Sequence, residues 1–138
     1  MENDNKDMES GFRIHNILLL ESDFKRVPNV VFDDPSITHD IRIEGEVTVN
    51  AEKNIVSVIQ TLHFSQILNE EKQISATIKM IGIFEKTGES VIDLENFGNV
   101  NGAAIIYPYI REHLTSLSVK AGVGIILLPP TNFAAYNK

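Results

Sequence analysis

Between Ile41 and Val49 the chain alternates: Ile41, Ile43, Val47 and Val49 are apolar, while Arg42, Glu44, Glu46, Thr48 and Asn50 are polar. A period of two sends successive side chains to opposite sides of an extended strand, so this run has one wet face and one dry face. Glu52-Lys53-Asn54 then turns the chain into a second run, Ile55–Ser65, where Val56, Val58, Leu62 and Phe64 share a side. Asn69–Lys72 makes the next turn. Gln73–Phe84 follows, with Ile74, Ala76, Ile78, Met80 and Phe84 on one side and Ser75, Thr77 and Lys79 on the other. Upstream, Phe12–Phe24 alternates imperfectly (Phe12, Ile14, then Ile17 to Leu20), the pattern of a strand with a bulge or with both faces covered near its end. Short connections between these runs predict a four-stranded antiparallel meander.

Only one stretch predicts a helix. Ala103, Ile106, Ile110, Leu114, Leu117 and Ala121 recur in steps of three and four, which aligns them on one stripe of a 3.6-residue turn. Arg111, Glu112, Ser116, Ser118 and Lys120 fall largely away from that stripe, and Gly122 supplies the left-handed conformation of a C-terminal cap. Pro108 predicts either a start near Tyr107 or a kink. Ile125–Leu128 is too short to span a membrane, and Pro129-Pro130 forbids regular helix, so 122–133 is expected to be an extended apolar segment on or under the surface.

The loops complete the plan. Arg26–Pro35 carries turn formers around Val30-Val31-Phe32, and Glu85–Gly102 is a long crossover holding a small apolar knot of Val91, Ile92, Leu94 and Phe97. Met1–Ser10 is almost wholly polar, is expected to be a disordered solvated tail, and lacks the hydrophobic core of a secretory signal, which points to the cytoplasm. Residues 11–138 then form a single α+β domain, with the helix laid on one sheet face. A chain of 138 residues buries enough surface to fold without staples, and with no cysteine it has no disulfide, thiolate metal site or thiol nucleophile.

The chemistry-bearing residues form no constellation. A net charge of −7 argues against nucleic acid, whose phosphates require clustered Lys and Arg. Gly122-Val-Gly124 opens no helix and is not a phosphate loop; Arg111-Glu112-His113 lacks the second histidine of a zinc-protease helix. His15, His39, His63 and His113 are scattered singly and read as solvated or hydrogen-bonded structural histidines, since a zinc site needs convergent ligands. No catalytic residue, metal site or cofactor is expected. What remains is an apolar surplus: Ile74, Ala76, Ile78, Met80, Ile125–Leu128 and Phe133 exceed what one sheet face under one helix can hide. The surplus fits an interface between copies of the protein, or a groove for the apolar side chains of another polypeptide.

Tyr107-Pro-Tyr-Ile-Arg-Glu112 with Leu114-Thr-Ser-Leu117, and Leu128-x-Pro130-x-Asn132-Phe133, resemble the SecB family of protein-export chaperones. Phe12-x-Ile14-x-x-Ile17 with Phe24 and Pro28-Asn29, and Gly82-Ile-Phe84, resemble that family in order and spacing, so the likeness covers nearly the whole sequence. The resemblance implies a four-stranded antiparallel sheet with helices on one side, a homotetrameric dimer of dimers, and a nucleotide-independent holdase that keeps unfolded precursors competent for export. It implies that Ile74, Ala76, Ile78 and Met80 serve oligomer contact and client binding, and that Ile126, Leu128 and Phe133 line the groove. Glu21 matches an acidic position through which the family meets the SecA motor, whereas Lys25, Ser75 and Thr77 depart from the pattern there. Family members carry a C-terminal helix and polar tail beyond the Asn-Phe pair, so by comparison this sequence is short at its C-terminal end. A structural or adaptor oligomer, or a dedicated chaperone for another client such as an antitoxin, stands as the alternative.

Overall fold

The alternating runs become four long strands in the computed structural model, which describes residues 11–88 and 92–136. They are β1 (Phe12–Arg26), β2 (Thr38–Asn50), β3 (Ile55–Leu68) and β4 (Glu71–Lys86). The expected polar tail, and Val91 of the apolar knot, lie outside the described residues. All pairings are antiparallel, but the spatial order is β1-β4-β3-β2. The meander therefore comprises β2, β3 and β4, while β1 crosses over to pair with β4 in a Greek-key arrangement. The eleven-residue connection 27–37 makes this crossing, tied down where Gln73 Nε2 donates to the Val31 carbonyl at 3.1 Å and the Val31 N–H donates to Gln73 Oε1 at 2.6 Å. The predicted irregularity of β1 is real: its register against β4 slips between Ile14 and Asn16 and between Leu19 and Glu21.

Helical structure begins earlier than Ala103. A one-turn helix, α1 (Leu94–Asn96), is capped by the Asp93 carboxylate, which accepts from the Asn96 N–H at 2.6 Å. A π-helical turn at Phe97–Gly102 leads into α2 (Ala103–Lys120). Phe97 anchors this entry, stacked on Phe12 with ring centroids 3.7 Å apart and set edge-on to Phe84 at 5.4 Å. Pro108 lies inside α2 rather than starting it. Proline there frees the carbonyl of Ala104, one turn back; both residues are exposed, so water can satisfy that oxygen. Gly122, at φ +71°, ends the helix as expected.

The packing corrects one expectation outright. Ile74, Ala76, Ile78 and Met80 are buried in the core beneath α2, together with Val56, Val58, Leu62 and Phe64 of β3. They are the floor under the helix and are not accessible to a client or a second copy in this fold. Gly82 shows how closely the helix approaches, since a Cβ there would stand 2.8 Å from Ile106 Cδ1. A helix about 10 Å across covers about two strands spaced about 4.8 Å apart. Here α2 shades the two central strands and leaves both edge strands largely uncovered.

Candidate functional site

The dry face of β2 is the surface that this geometry leaves open. Register places Ile41 opposite Phe64, Ile43 opposite Leu62, Gly45 opposite Gln60 and Val47 opposite Val58, so β2 continues the helix-side face of β3. Beyond the edge of α2 that face is exposed: Ile41 retains 41 % of its surface, and Ile43 and Val47 are half-buried. Ile41, Ile43 and Val47 therefore wall a groove at the margin of the core, against which Ile43 and Val47 also pack.

The returning segment after α2 roofs this wall. Ser118, which the helical stripe predicted to face away, is wholly buried. Its hydroxyl donates to the Thr115 carbonyl at 2.8 Å and accepts from the Ile126 N–H at 3.1 Å, while Thr115 Oγ1 donates to the Ile126 carbonyl at 2.9 Å. Val123 and Leu128 turn inward, whereas Ile125 and Leu127 stand exposed. Tyr107 then holds the Pro-Pro pair by donating its hydroxyl to the Pro129 carbonyl at 2.6 Å. Phe133, the first residue of a short helix α3 (Phe133–Tyr136), meets the Tyr107 ring edge-on at 5.5 Å.

Among the described residues three concavities stand out. One of about 540 Å³ lies between Ile41 and Ile43 of β2 and Tyr107, Pro129 and Pro130 of the roof. A second, of about 230 Å³, adjoins it through Ile43 and is lined by Val47, Gln60 and Phe133. The third, of about 590 Å³, lies on the outer side of α2 between Val119, Thr115 and the apolar pair Leu127-Leu128. The first two make a groove along β2, walled by Ile41, Ile43, Val47 and the two prolines, bordered also by the polar Gln60, Asn99, Thr131 and Asn132, with Glu44 as its one charged lining residue among the described residues.

The residues expected at the site are thus divided. Phe133 lines the β2 groove and Leu128 lines the outer concavity, while Ile126 is half-buried, its side chain packed against the core and its backbone bonded to Ser118 and Thr115. Ile74, Ala76, Ile78 and Met80 lie beneath the helix. Glu21 is on the opposite, outer face of the sheet, with Lys79 Nζ 3.9 Å from its carboxylate. That face also carries the ion pair Lys25–Asp23 at 3.8 Å, so its acidic groups are interleaved with cations. Ile41, Ile43 and Val47 were not expected as site residues: the meander read from the sequence puts β2 between β1 and β3, and only the crossing of β1 to β4 makes it an edge that one helix cannot reach.

The four histidines each lie against a different polar side chain. His15 lies 2.7 Å from Glu85, His39 3.0 Å from Gln66, His63 3.3 Å from Glu44, and His113 2.8 Å from Ser22. Among the described residues no group of three His, Asp or Glu could hold a metal, and no helix is long and apolar enough to cross a membrane.

Known proteins share both this sequence pattern and this fold. The family model for SecB, preprotein translocase subunit SecB, matches residues 8–138. The sequence is 25 % identical over 132 residues to the protein-export protein SecB of Legionella pneumophila, covering 92 % of this chain and 79 % of that one. It is 22 % identical over 103 residues to an uncharacterised protein of Methanocaldococcus jannaschii, covering 73 % of this chain and 66 % of that one. The fold is similar to that of a SecB-like chaperone of Mycobacterium tuberculosis solved in complex with a peptide from the HigA1 antitoxin. The TM-score is 0.71 at 20 % identity, over 88 % of this chain and 91 % of that one.

Proposed function

The chain belongs to the SecB family, a family of non-enzymatic chaperones, and from that premise we propose that it holds non-native polypeptides in the groove along β2 and releases them without nucleotide. The observation that carries this reading is the uncovered dry face of β2, walled by Ile41, Ile43 and Val47 and roofed by Tyr107, Pro129 and Phe133. Burial of a client's apolar side chains there yields about 25 cal/mol per Å² with no directional demand, which suits recognition of many sequences. A folded protein has already hidden such side chains, so the groove selects for polypeptides that fold slowly.

The exposed apolar surfaces elsewhere support a homo-oligomer, with a dimer of dimers as the arrangement. Leu18, Leu19 and Leu20 lie open on the β1 edge, and Tyr109, Val119, Ile125 and Leu127 on the outer side of α2. Repeating the groove in several copies lets one long client bind at several points, so weak contacts multiply. Precursor proteins awaiting export in the cytoplasm are the clients this reading favours. Glu21 is the candidate contact for SecA, although Lys79 already shares its charge.

A dedicated client is the second reading, favoured by the fold shared with the mycobacterial chaperone that was solved with an antitoxin peptide. A purely structural oligomer is the third. The test is to dilute a denatured, slow-folding protein into an equal amount of this protein. A general holdase delays refolding at near-stoichiometric ratio, a dedicated one delays only its own client, and a structural oligomer delays none.

A further inference from the structure

Among the described residues two glycines lie inside strands, and packing explains only one of them. Gly82 of β4 has no room for a side chain, since a Cβ there would stand 2.8 Å from Ile106 Cδ1. Gly45 sits near the middle of β2, on the helix side between Ile43 and Val47 and opposite Gln60. A Cβ at Gly45 would find no atom within 4 Å, and its φ lies outside the positive range that favours glycine. Neither crowding nor backbone conformation calls for glycine here. A glycine inside a strand weakens the fold, because it orders a freer backbone and packs nothing.

What the missing side chain leaves is space. Gly45 is exposed and lines the 230 Å³ cavity of the β2 groove, so the cavity is open where the side chain would be. Ile43 and Val47 flank that opening, and the buried Val58 and Phe133 form apolar walls behind it. Gln60, Asn99 and Glu44 border the cavity as well. Gln60 Nε2 donates to the Ala103 carbonyl at 3.1 Å, and Glu44 Oε1 lies 3.3 Å from His63 Nε2.

We propose that Gly45 is a specificity-determining residue: its missing side chain makes a socket for one client side chain of about the size of phenylalanine, seated against Ile43, Val47 and Phe133. A cavity of about 150 Å³ already holds a benzene ring, so this one has room for a phenylalanine ring, whereas alanine would leave it nearly empty. An extended chain turns alternate residues to one side. A ring anchored beside Gly45 therefore also fixes which client residues meet the rest of the groove. The inference rests on the client-holding reading above.

The experiment is a titration of the full-length protein with two labelled peptides, Ala-Ser-rich and identical except for a central Phe or Ala. The Phe peptide is expected to bind about tenfold more tightly, as partial removal of a ring from water allows. Gly45→Val fills the socket and should bring that ratio to about one. Gly45→Ala, the smaller step, should lower it partway, and carries the test by itself should the larger side chain disturb the strand. Gly45→Ala should melt at or above the temperature of the unaltered protein, since the space is free and the unfolded chain loses freedom. A Tm several degrees lower would show that the fold itself needs the glycine, and would overturn the proposal. Equal affinity for the two peptides in the unaltered protein overturns the socket and leaves the groove standing, as does a preference undiminished by either substitution. Failure of both peptides to bind overturns the groove and the socket together.

Discussion

Tyr107 and Pro129 are joined by a hydrogen bond of 2.6 Å that ties the middle of α2 to the segment roofing the groove. Everything that β2 can grip depends on where this segment is held, because the roof has no regular structure of its own between Gly122 and Asn132.

Tyr107→Phe removes that bond while keeping the ring against Phe133. The expected loss is about 1 kcal/mol, or roughly 3–6 °C in Tm. Hydrogen exchange should quicken in 123–132 more than in the strands, which would show that the bond acts on the roof.

Ser118→Ala reaches the same segment from the buried side. The Ile126 N–H would lose its acceptor, and an unmet buried donor costs about 1–3 kcal/mol. Denaturant titration should show a lower midpoint with an unchanged slope.

Ile78→Ala and Ile41→Ser separate floor from wall. Ile78 is fully buried under the helix, so truncation should cost about 2–5 kcal/mol. Ile41 is exposed, so its substitution should change stability by about 0.5 kcal/mol or less and instead weaken the delay of client refolding. The two effects are read by thermal melting and by the refolding assay on the same pair of variants.

Gly82→Val tests the close seating of α2. The first added carbon already meets Ile106 and the Phe84 ring at 2.8–2.9 Å, and overpacking of this kind costs about 1–3 kcal/mol. A melting point equal to that of the unaltered protein would mean that the helix is not pressed on β4 as described.

Much of this architecture can be read from the residues. Period-two alternation marks all four strands, the imperfect run Phe12–Leu20 foretells the slipped register of β1, and Gly122 ends the helix where its conformational freedom is needed. What alternation cannot carry is the neighbour of each strand. Pairing β1 with β4 depends on a crossing loop whose anchor, Gln73 to Val31, is a long-range contact. The site was misjudged for a related reason. Ile78 and Ile41 look alike as dry-face residues, and only the limited width of α2 decides that the first is roofed and the second open. Ser118 and Gln60 were illegible as site-forming groups because their partners, Ile126 N–H and Ala103 O, lie in elements that pattern alone does not bring together.

The measurement closest to the central claim is photocrosslinking from two adjacent positions of β2 in the presence of an unfolded protein. Ile41 faces the groove and Arg42 faces the outer side of the sheet, as their register with Phe64 and His63 requires. A crosslinker at position 41 should capture the unfolded protein, and one at position 42 should not. Capture from position 42 alone, or equally from both, would contradict a client seated along the helix side of β2.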